Sequence, residues 1–163
     1  MNNNFHFQMM MLALEEAKIA ASEGEVPIGA IITKGEQIIA RAHNLTEKEK
    51  SPLAHAEVLV ISQASLILKN KRLTGCTLYV TLEPCLMCSG AILLARINNL
   101  FYGCRDSKAG ACRSLYETLE DKRLNHQCLV REGILEEKCS ELLQEFFQKL
   151  RFENRNQNIR STK

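Results

Sequence analysis

No apolar run in these 163 residues approaches the roughly 20 needed to cross a bilayer. The opening residues, Met1-Asn2-Asn3-Asn4-Phe5-His6-Phe7-Gln8, lack the basic segment and long apolar stretch of a secretory leader. A cytoplasmic chain without membrane association is therefore expected. Internal repeats, low-complexity linkers and composition breaks are also missing, so a single domain over residues 1–163 is expected. There is little net charge: 21 basic against 19 acidic residues leave +2, too small an excess to name a partner. Cysteine is not scarce, but seven is an odd number, and a chain that is 45% hydrophobic can build a core without staples. That disfavours a disulfide framework and leaves thiols free for metal.

What is present reads as alternating helices and strands. Residues 10–21 place Leu12, Leu14, Ala17, Ile19 and Ala20 among Glu15, Glu16 and Lys18, an amphipathic helix ending near Gly24. Short β-branched runs at 28–33 and 37–42 flank Lys34-Gly35-Glu36 and predict a hairpin. Helices are then predicted over 54–69, 88–95 and 135–152, and strands over 76–82, 99–103 and 128–131. Residues 108–127 are polar and carry no clear period. Alternation after the hairpin implies right-handed crossovers and a parallel portion of the sheet. The expected class is α/β, a mixed central sheet with helices on both faces.

Two segments carry chemistry: His55-Ala56-Glu57 opens the second predicted helix, and Pro84-Cys85-Leu86-Met87-Cys88 lies at a strand-to-helix junction. Cysteines three apart share one face of a first helical turn, where the helix's positive end favours thiolates. One imidazole and two thiolates make three ligands, which leaves the fourth position of a tetrahedral Zn²⁺ open, as in catalytic sites. A carboxylate two residues from a ligand can reach that position without binding the metal, the place for a general base. The fragments are weak separately. Cys-x-x-Cys also serves redox pairs and structural zinc, a lone histidine is more often a satisfied core residue, and a lone glutamate a solvated one. A closed structural site needs a fourth ligand from Cys104, Cys112, Cys128, Cys139, His43, His6 or His126, and none of these forms a second close pair.

Taken together, His55-x-Glu57 and Pro84-Cys85-x-x-Cys88 fit the signature of zinc deaminases. The surrounding segments extend the likeness: Glu25-Val26-Pro27-Ile28-Gly29-Ala30, His43-Asn44, Ala54 to Glu57, Thr81 to Ala91, and Arg105-Asp106-Ser107-Lys108-Ala109-Gly110-Ala111. With these, nearly the whole chain through Phe146-Phe147 resembles the bacterial tRNA-specific adenosine deaminases. The resemblance implies a three-layer α/β/α, cytidine-deaminase-like fold and a homodimer. It implies hydrolytic conversion of adenosine to inosine at the wobble position (34) of a tRNA anticodon, chiefly in an arginine tRNA. By the same resemblance His55, Cys85 and Cys88 hold one Zn²⁺ per chain and Glu57 shuttles protons. Asn44 bonds the target base, the backbone of Ala56 and Cys85 lines its pocket with Val26 and Leu82, and Asp106 lies near the target ribose.

Plainer roles stand beside these. Asn44 suits a turn, Asp106 a loop cap or an Arg105 pair, and Val26 and Leu82 the core. Met87 is expected to pack, and Cys76, Cys104, Cys112, Cys128 and Cys139 to be buried or free thiols. Glu83 has no role legible from spacing. Cys112-Arg113 departs from the small residues expected there and leaves the shape of that loop open.

From Lys149 onward five basic residues (Lys149, Arg151, Arg155, Arg160, Lys163) face one acid, Glu153. That excess exceeds the chain's net charge and suits RNA phosphates, although a solvated tail has the same composition. Phe147 and Arg151 lie four apart on the last predicted helix, where an aromatic and a guanidinium on one face can stack splayed bases. Phe147 can equally be core, as Phe146 is expected to be. Two other functions fit the signature less fully: a small-molecule nucleobase deaminase of guanine or cytosine type, and a non-catalytic zinc-stabilised RNA-binding module. Glu57 argues against the second, because a structural site has no use for a carboxylate beside the metal.

Overall fold

The structure, a computed structural model, describes residues 3–161, with side chains to residue 156. The Arg160 side chain and Lys163, both counted in the basic tail, lie outside the described parts. Four helices, α1 (Asn3–Ser22), α2 (Ala56–Ile67), α3 (Leu86–Leu94) and α4 (Glu136–Ser161), are interleaved with five strands. The strands are β1 (Gly29–Lys34), β2 (Gln37–His43), β3 (Cys76–Leu82), β4 (Asn99–Cys104) and β5 (Leu129–Glu132).

They form one sheet in the order β2-β1-β3-β4-β5. The β1–β2 hairpin is antiparallel and β1 also runs antiparallel to β3, whereas β3, β4 and β5 are parallel. The period-2 alternation of the strands sorts side chains into two cores. Ile31, Tyr79 and Phe101 are in register and face α1 and α4, meeting Met10, Ala13, Leu14 and Cys139. Their neighbours Ile32, Leu78 and Leu100 face the other way, toward α2 and α3, meeting Val60 and Ile92. The result is the expected three-layer α/β/α arrangement with a mixed sheet. All seven cysteines are free, and Cys76, Cys104, Cys112, Cys128 and Cys139 are buried. Among the described residues no helix is long and apolar enough to cross a membrane.

Most element ends shift by one or two residues from expectation, and three of the differences have a reason in the structure. Helix α1 starts at Asn3 rather than residue 10, because its first turns have tertiary partners that no local pattern discloses. His6 stacks on Phe101 at 4.2 Å and bonds the Tyr79 hydroxyl at 2.8 Å. Helix α4 runs to Ser161 instead of residue 152, since no glycine or proline interrupts the polar stretch that follows. Helix α3 begins at Leu86, two residues early, which makes Cys85 its N-cap. The segment without a period is neither helix nor strand. It is pinned by fully buried Leu119, by an Arg113–Glu120 ion pair at 2.6 Å, and by the Cys128 N–H donating to the Leu119 carbonyl.

Candidate active site

Two helix N-termini converge beneath the C-terminal ends of the parallel strands, the edge where open α/β sheets bind ligands. His55 is the N-cap of α2 and Cys85 the N-cap of α3, both with extended backbone, and Cys88 lies one turn further along α3. Neither cap residue bonds its own helix through its side chain, so imidazole and thiol are free to point elsewhere. They point at one another. Cys85 Sγ lies 3.6 Å from Cys88 Sγ, and His55 Nδ1 lies 3.8 and 3.5 Å from the two sulfurs. Metal–sulfur bonds of about 2.3 Å and metal–nitrogen bonds of about 2.0–2.1 Å give a tetrahedron with edges of about 3.8 and 3.6 Å. The three atoms thus already span one face of such a tetrahedron. His55, Cys85 and Cys88 are the one set of potential ligands brought together among the described residues. The other candidates are engaged elsewhere or buried apart: His6 on Tyr79, His43 on Glu16, and His126 on the Ile97 carbonyl.

The electrostatics suit a cation. The hydrogen bond between the Cys85 and Cys88 sulfurs, with the neighbouring His55, holds the Cys85 thiol down to about 4 against the opposing effect of burial. Cys88 is correspondingly raised, first by its bond to Cys85 and then by burial. His55 is raised, chiefly by its bond to Cys85. The pair therefore shares a proton that a divalent ion would displace.

Glu57, in the first turn of α2, is 3% exposed, and its Oε2 has no hydrogen-bond partner in the protein. Burial pushes its carboxyl up to about 7. An unpartnered buried carboxyl oxygen is costly unless a ligand completes it. Its neighbour Ala56 donates its N–H to Asn44 Oδ1 at 2.8 Å, which satisfies one orphan donor of α2 and ties the end of β2 to the first turn of that helix.

Above His55 opens a cleft of about 450 Å³. Val26, Asn44, Leu82, Asp106 and Phe147, each singled out from the sequence, line it with His55. Thr46, Arg105, Lys108 and Leu143 complete most of the remaining wall. Ala56 and Arg151 are not among the lining residues: Ala56 is buried below, and Arg151 is exposed one turn beyond Phe147 on α4. The Asp106 carboxylate accepts the N–H groups of Lys108 and Ala109 through Oδ1, so it does cap its loop.

Sequence reasoning missed two buried glutamates that shape the cleft walls. Glu25 accepts the N–H groups of Glu47 and Lys48 and the Thr46 hydroxyl, fixing the loop after β2. Glu83 accepts N–H groups from Asp106, Cys112, Arg113 and Ser114. The available signal was a carboxylate beside an apolar run, at Glu25-Val26-Pro27 and Leu82-Glu83-Pro84.

Residues 4–151 match the family described as MafB19-like deaminase. The three-layer fold, with its histidine, two cysteines and buried glutamate at the sheet edge, defines a cytidine-deaminase-like enzyme. Over 142 residues the chain is 50% identical to the tRNA-specific adenosine deaminase of Bacillus subtilis (strain 168), spanning 87% of this chain and 88% of that protein. The solved structure of a tRNA:A34 deaminase, from work on A-to-I editing at the wobble position of transfer RNA, matches with a TM-score of 0.81 and 43% identity. That match covers 83% of this chain and 99% of the other. The chain belongs to the tRNA-specific adenosine deaminase family. A guanine deaminase from Nitrosomonas europaea shares the architecture at a TM-score of 0.77 over 86% of this chain and 83% of its own. At 22% identity that likeness concerns the fold alone and does not choose the base.

Proposed function

We propose that this chain hydrolyses adenosine to inosine at the wobble position (34) of a tRNA anticodon, with one Zn²⁺ held by His55, Cys85 and Cys88. The observation that carries the reading is the unpartnered, buried Glu57 carboxyl beside a three-atom ligand set with tetrahedral edge lengths, at the foot of a cleft. Zinc, when bound, supplies Lewis acidity that brings the pKa of water to about 7. Glu57 takes a proton from the attacking water and returns it to the exocyclic nitrogen. A carbon–oxygen bond forms at purine C6, the carbon–nitrogen bond breaks, and ammonia leaves; adenosine and water are consumed and inosine and ammonia produced.

The rest of the cleft orients the nucleoside. With Asn44 Oδ1 committed to Ala56, the Asn44 Nδ2 donors serve an acceptor on the purine. Val26 and Leu82 are half-buried and supply apolar contact to the ring faces. Asp106 keeps Oδ2 for a ribose hydroxyl, since the loop bonds use Oδ1. Phe147 lines the cleft on α4, and Arg151 follows one turn on; this pair stacks flanking bases. An anticodon loop is single-stranded, which lowers the cost of extruding one base into a closed pocket. Family likeness supports an arginine tRNA as substrate and the cytoplasm as the place of action. Association into a homodimer is supported by family likeness and by the apolar side chains that α2 and α3 leave exposed, Leu66 and Ile67 on the first and Leu86 and Leu94 on the second.

The test is incubation of the zinc-loaded protein with an anticodon stem-loop carrying adenosine at the wobble position. Inosine is expected there, and no release of ammonia from free adenosine, cytidine or guanine run in parallel. Deamination of a free base or nucleoside with no action on RNA would replace this reading by a small-molecule deaminase.

Removing the chain after Arg151 deletes Arg155, Arg160 and Lys163. Weaker RNA binding and a shallower salt dependence are expected, each neutralised phosphate contributing about 0.7–0.9 to the slope of log affinity against log salt. Activity on a stem-loop should fall mainly through KM. An unchanged slope would place the phosphate contacts elsewhere.

A further inference from the structure

The metal-ligand turn and one wall of the cleft spring from neighbouring parallel strands. After β3 the chain passes through Glu83 and Pro84 to Cys85; after β4 it enters a loop whose first residues, Arg105 to Lys108, line the cleft. The two strands are paired only up to Leu82 and Cys104. Beyond that point something else has to fix the wall against the metal ligands.

One carboxylate does so. Glu83 is 2% exposed and no basic side chain among the described residues pairs with it. Its Oε1 accepts three consecutive N–H groups, from Cys112 at 3.0 Å, Arg113 at 2.7 Å and Ser114 at 2.9 Å, a backbone nest for an anion. Its Oε2 accepts the Asp106 N–H at 3.0 Å and the Ser114 hydroxyl. Both ends of the 106–114 loop are thus tied to one side chain two residues from a metal ligand. The Ala111 N–H adds a bond to the Pro84 carbonyl, and Cys85 forms an isolated bridge with Gly110. Gly110 has no room for a side chain: a methyl there would overlap the Glu83 carboxyl and the Asp106 carbonyl.

We infer that Glu83 is a positioning residue for the deamination reaction, holding the Asp106 wall of the substrate cleft in register with the Cys85 turn. The inference rests on the tRNA deaminase reading above. Glu83 does not touch the reacting atoms; it acts through the backbone of Asp106. Its chemistry makes that role separable from folding. In Glu83→Gln the side-chain oxygen can stay in the three-amide nest, but the new NH₂ faces the Asp106 N–H, donor against donor, while Ser114 can turn to accept. The substitution therefore releases one end of the loop selectively, and leaving a buried donor unsatisfied has a cost.

The test compares zinc-loaded wild type, Glu83→Gln and Ser114→Ala for zinc content, amide exchange, and kcat and KM on the anticodon stem-loop. For Glu83→Gln one zinc per chain and a kcat within about threefold of wild type are expected, with KM raised about tenfold. The Asp106 amide should exchange faster while those of residues 112–114 stay protected. Ser114→Ala keeps every N–H bond and should raise KM only about twofold. An unchanged KM in Glu83→Gln, with the Asp106 amide freed, would overturn the inference. So would loss of zinc, or a fall in kcat at constant KM, since either would move the role of Glu83 to the metal or the chemistry. Should Glu83→Gln fail to fold, Ser114→Ala decides, and an unchanged KM there also overturns it. Wild type inactive on the stem-loop would refute the tRNA reading instead, which keeps the two failures distinct.

Discussion

Glu57→Gln protein loaded with zinc is expected to form inosine roughly 10²–10⁴-fold more slowly than wild type, or worse, with metal content and RNA affinity retained. Glutamine preserves the size of the side chain and its hydrogen bonding but cannot accept a proton and give it back. The same carboxyl serves both the activation of water and the departure of ammonia, so the lower end of that range is a floor. The fold should suffer little, because Glu57 Oε2 has no hydrogen-bond partner in the protein and glutamine keeps one oxygen for the bonds that the carboxyl does make, to its own backbone N–H and to the Cys88 thiol. RNA affinity should persist, since it comes chiefly from phosphates and stacked bases remote from the carboxyl. The variant also separates three roles in one set of measurements. A metal ligand would lose zinc, a bystander would change nothing, and a proton shuttle would lose inosine formation alone. Near-normal inosine production would overturn the mechanism.

How far such a site can be read from sequence depends on what kind of constraint each residue obeys. The grouping of His55, Cys85 and Cys88 with Glu57 close by in sequence was legible because the coordination and proton transfer proposed for them demand particular side chains at particular helical spacings. Even so, the helix at Cys88 was expected to begin there, whereas Pro84 and the extended backbone of Cys85 let it start at Leu86. Asn44 was placed in the site by resemblance, but its bond to the Ala56 N–H was not foreseeable. It pairs a side chain at the end of one element with the first turn of another. Glu83 was illegible for a related reason. Its partners are backbone amides 23 to 31 residues away, and a backbone amide leaves no mark on residue type. The sheet followed from alternation, while the early start of α1 depended on His6 meeting Phe101 and Tyr79 across the fold. Local patterns therefore reported the chemistry and the layers, and long-range hydrogen bonds decided how the cleft walls are held.

Cys88→Ala is expected to abolish stoichiometric zinc binding and, with it, deamination, by more than about 10⁴-fold. Without the Lewis acid, Glu57 would have to remove a proton from water near its bulk pKa, far above anything a carboxylate can match. The structural cost should be small by comparison. Cys88 is fully buried at the start of α3, but alanine keeps its Cβ and favours the helix, and the thiol's partners all belong to the site itself, Cys85, His55 and Glu57. Folding should therefore survive with a lowered melting temperature, reflecting the lost contribution of a bound ion. Cys104→Ala and Cys139→Ala supply the contrast. Both thiols are buried in the α1–α4 core and belong to no cluster of potential ligands, so each variant should keep one zinc per chain and its activity. Elemental analysis with circular dichroism reads all three. Full zinc occupancy in Cys88→Ala would refute the ligand set. Unfolding of the zinc-free wild type would make the ion a structural one, and the loss of activity would then carry no information about catalysis. A folded, zinc-free and inactive protein is the outcome that the open geometry of His55, Cys85 and Cys88 requires, because three ligands joining two helix N-termini leave a fourth position for chemistry.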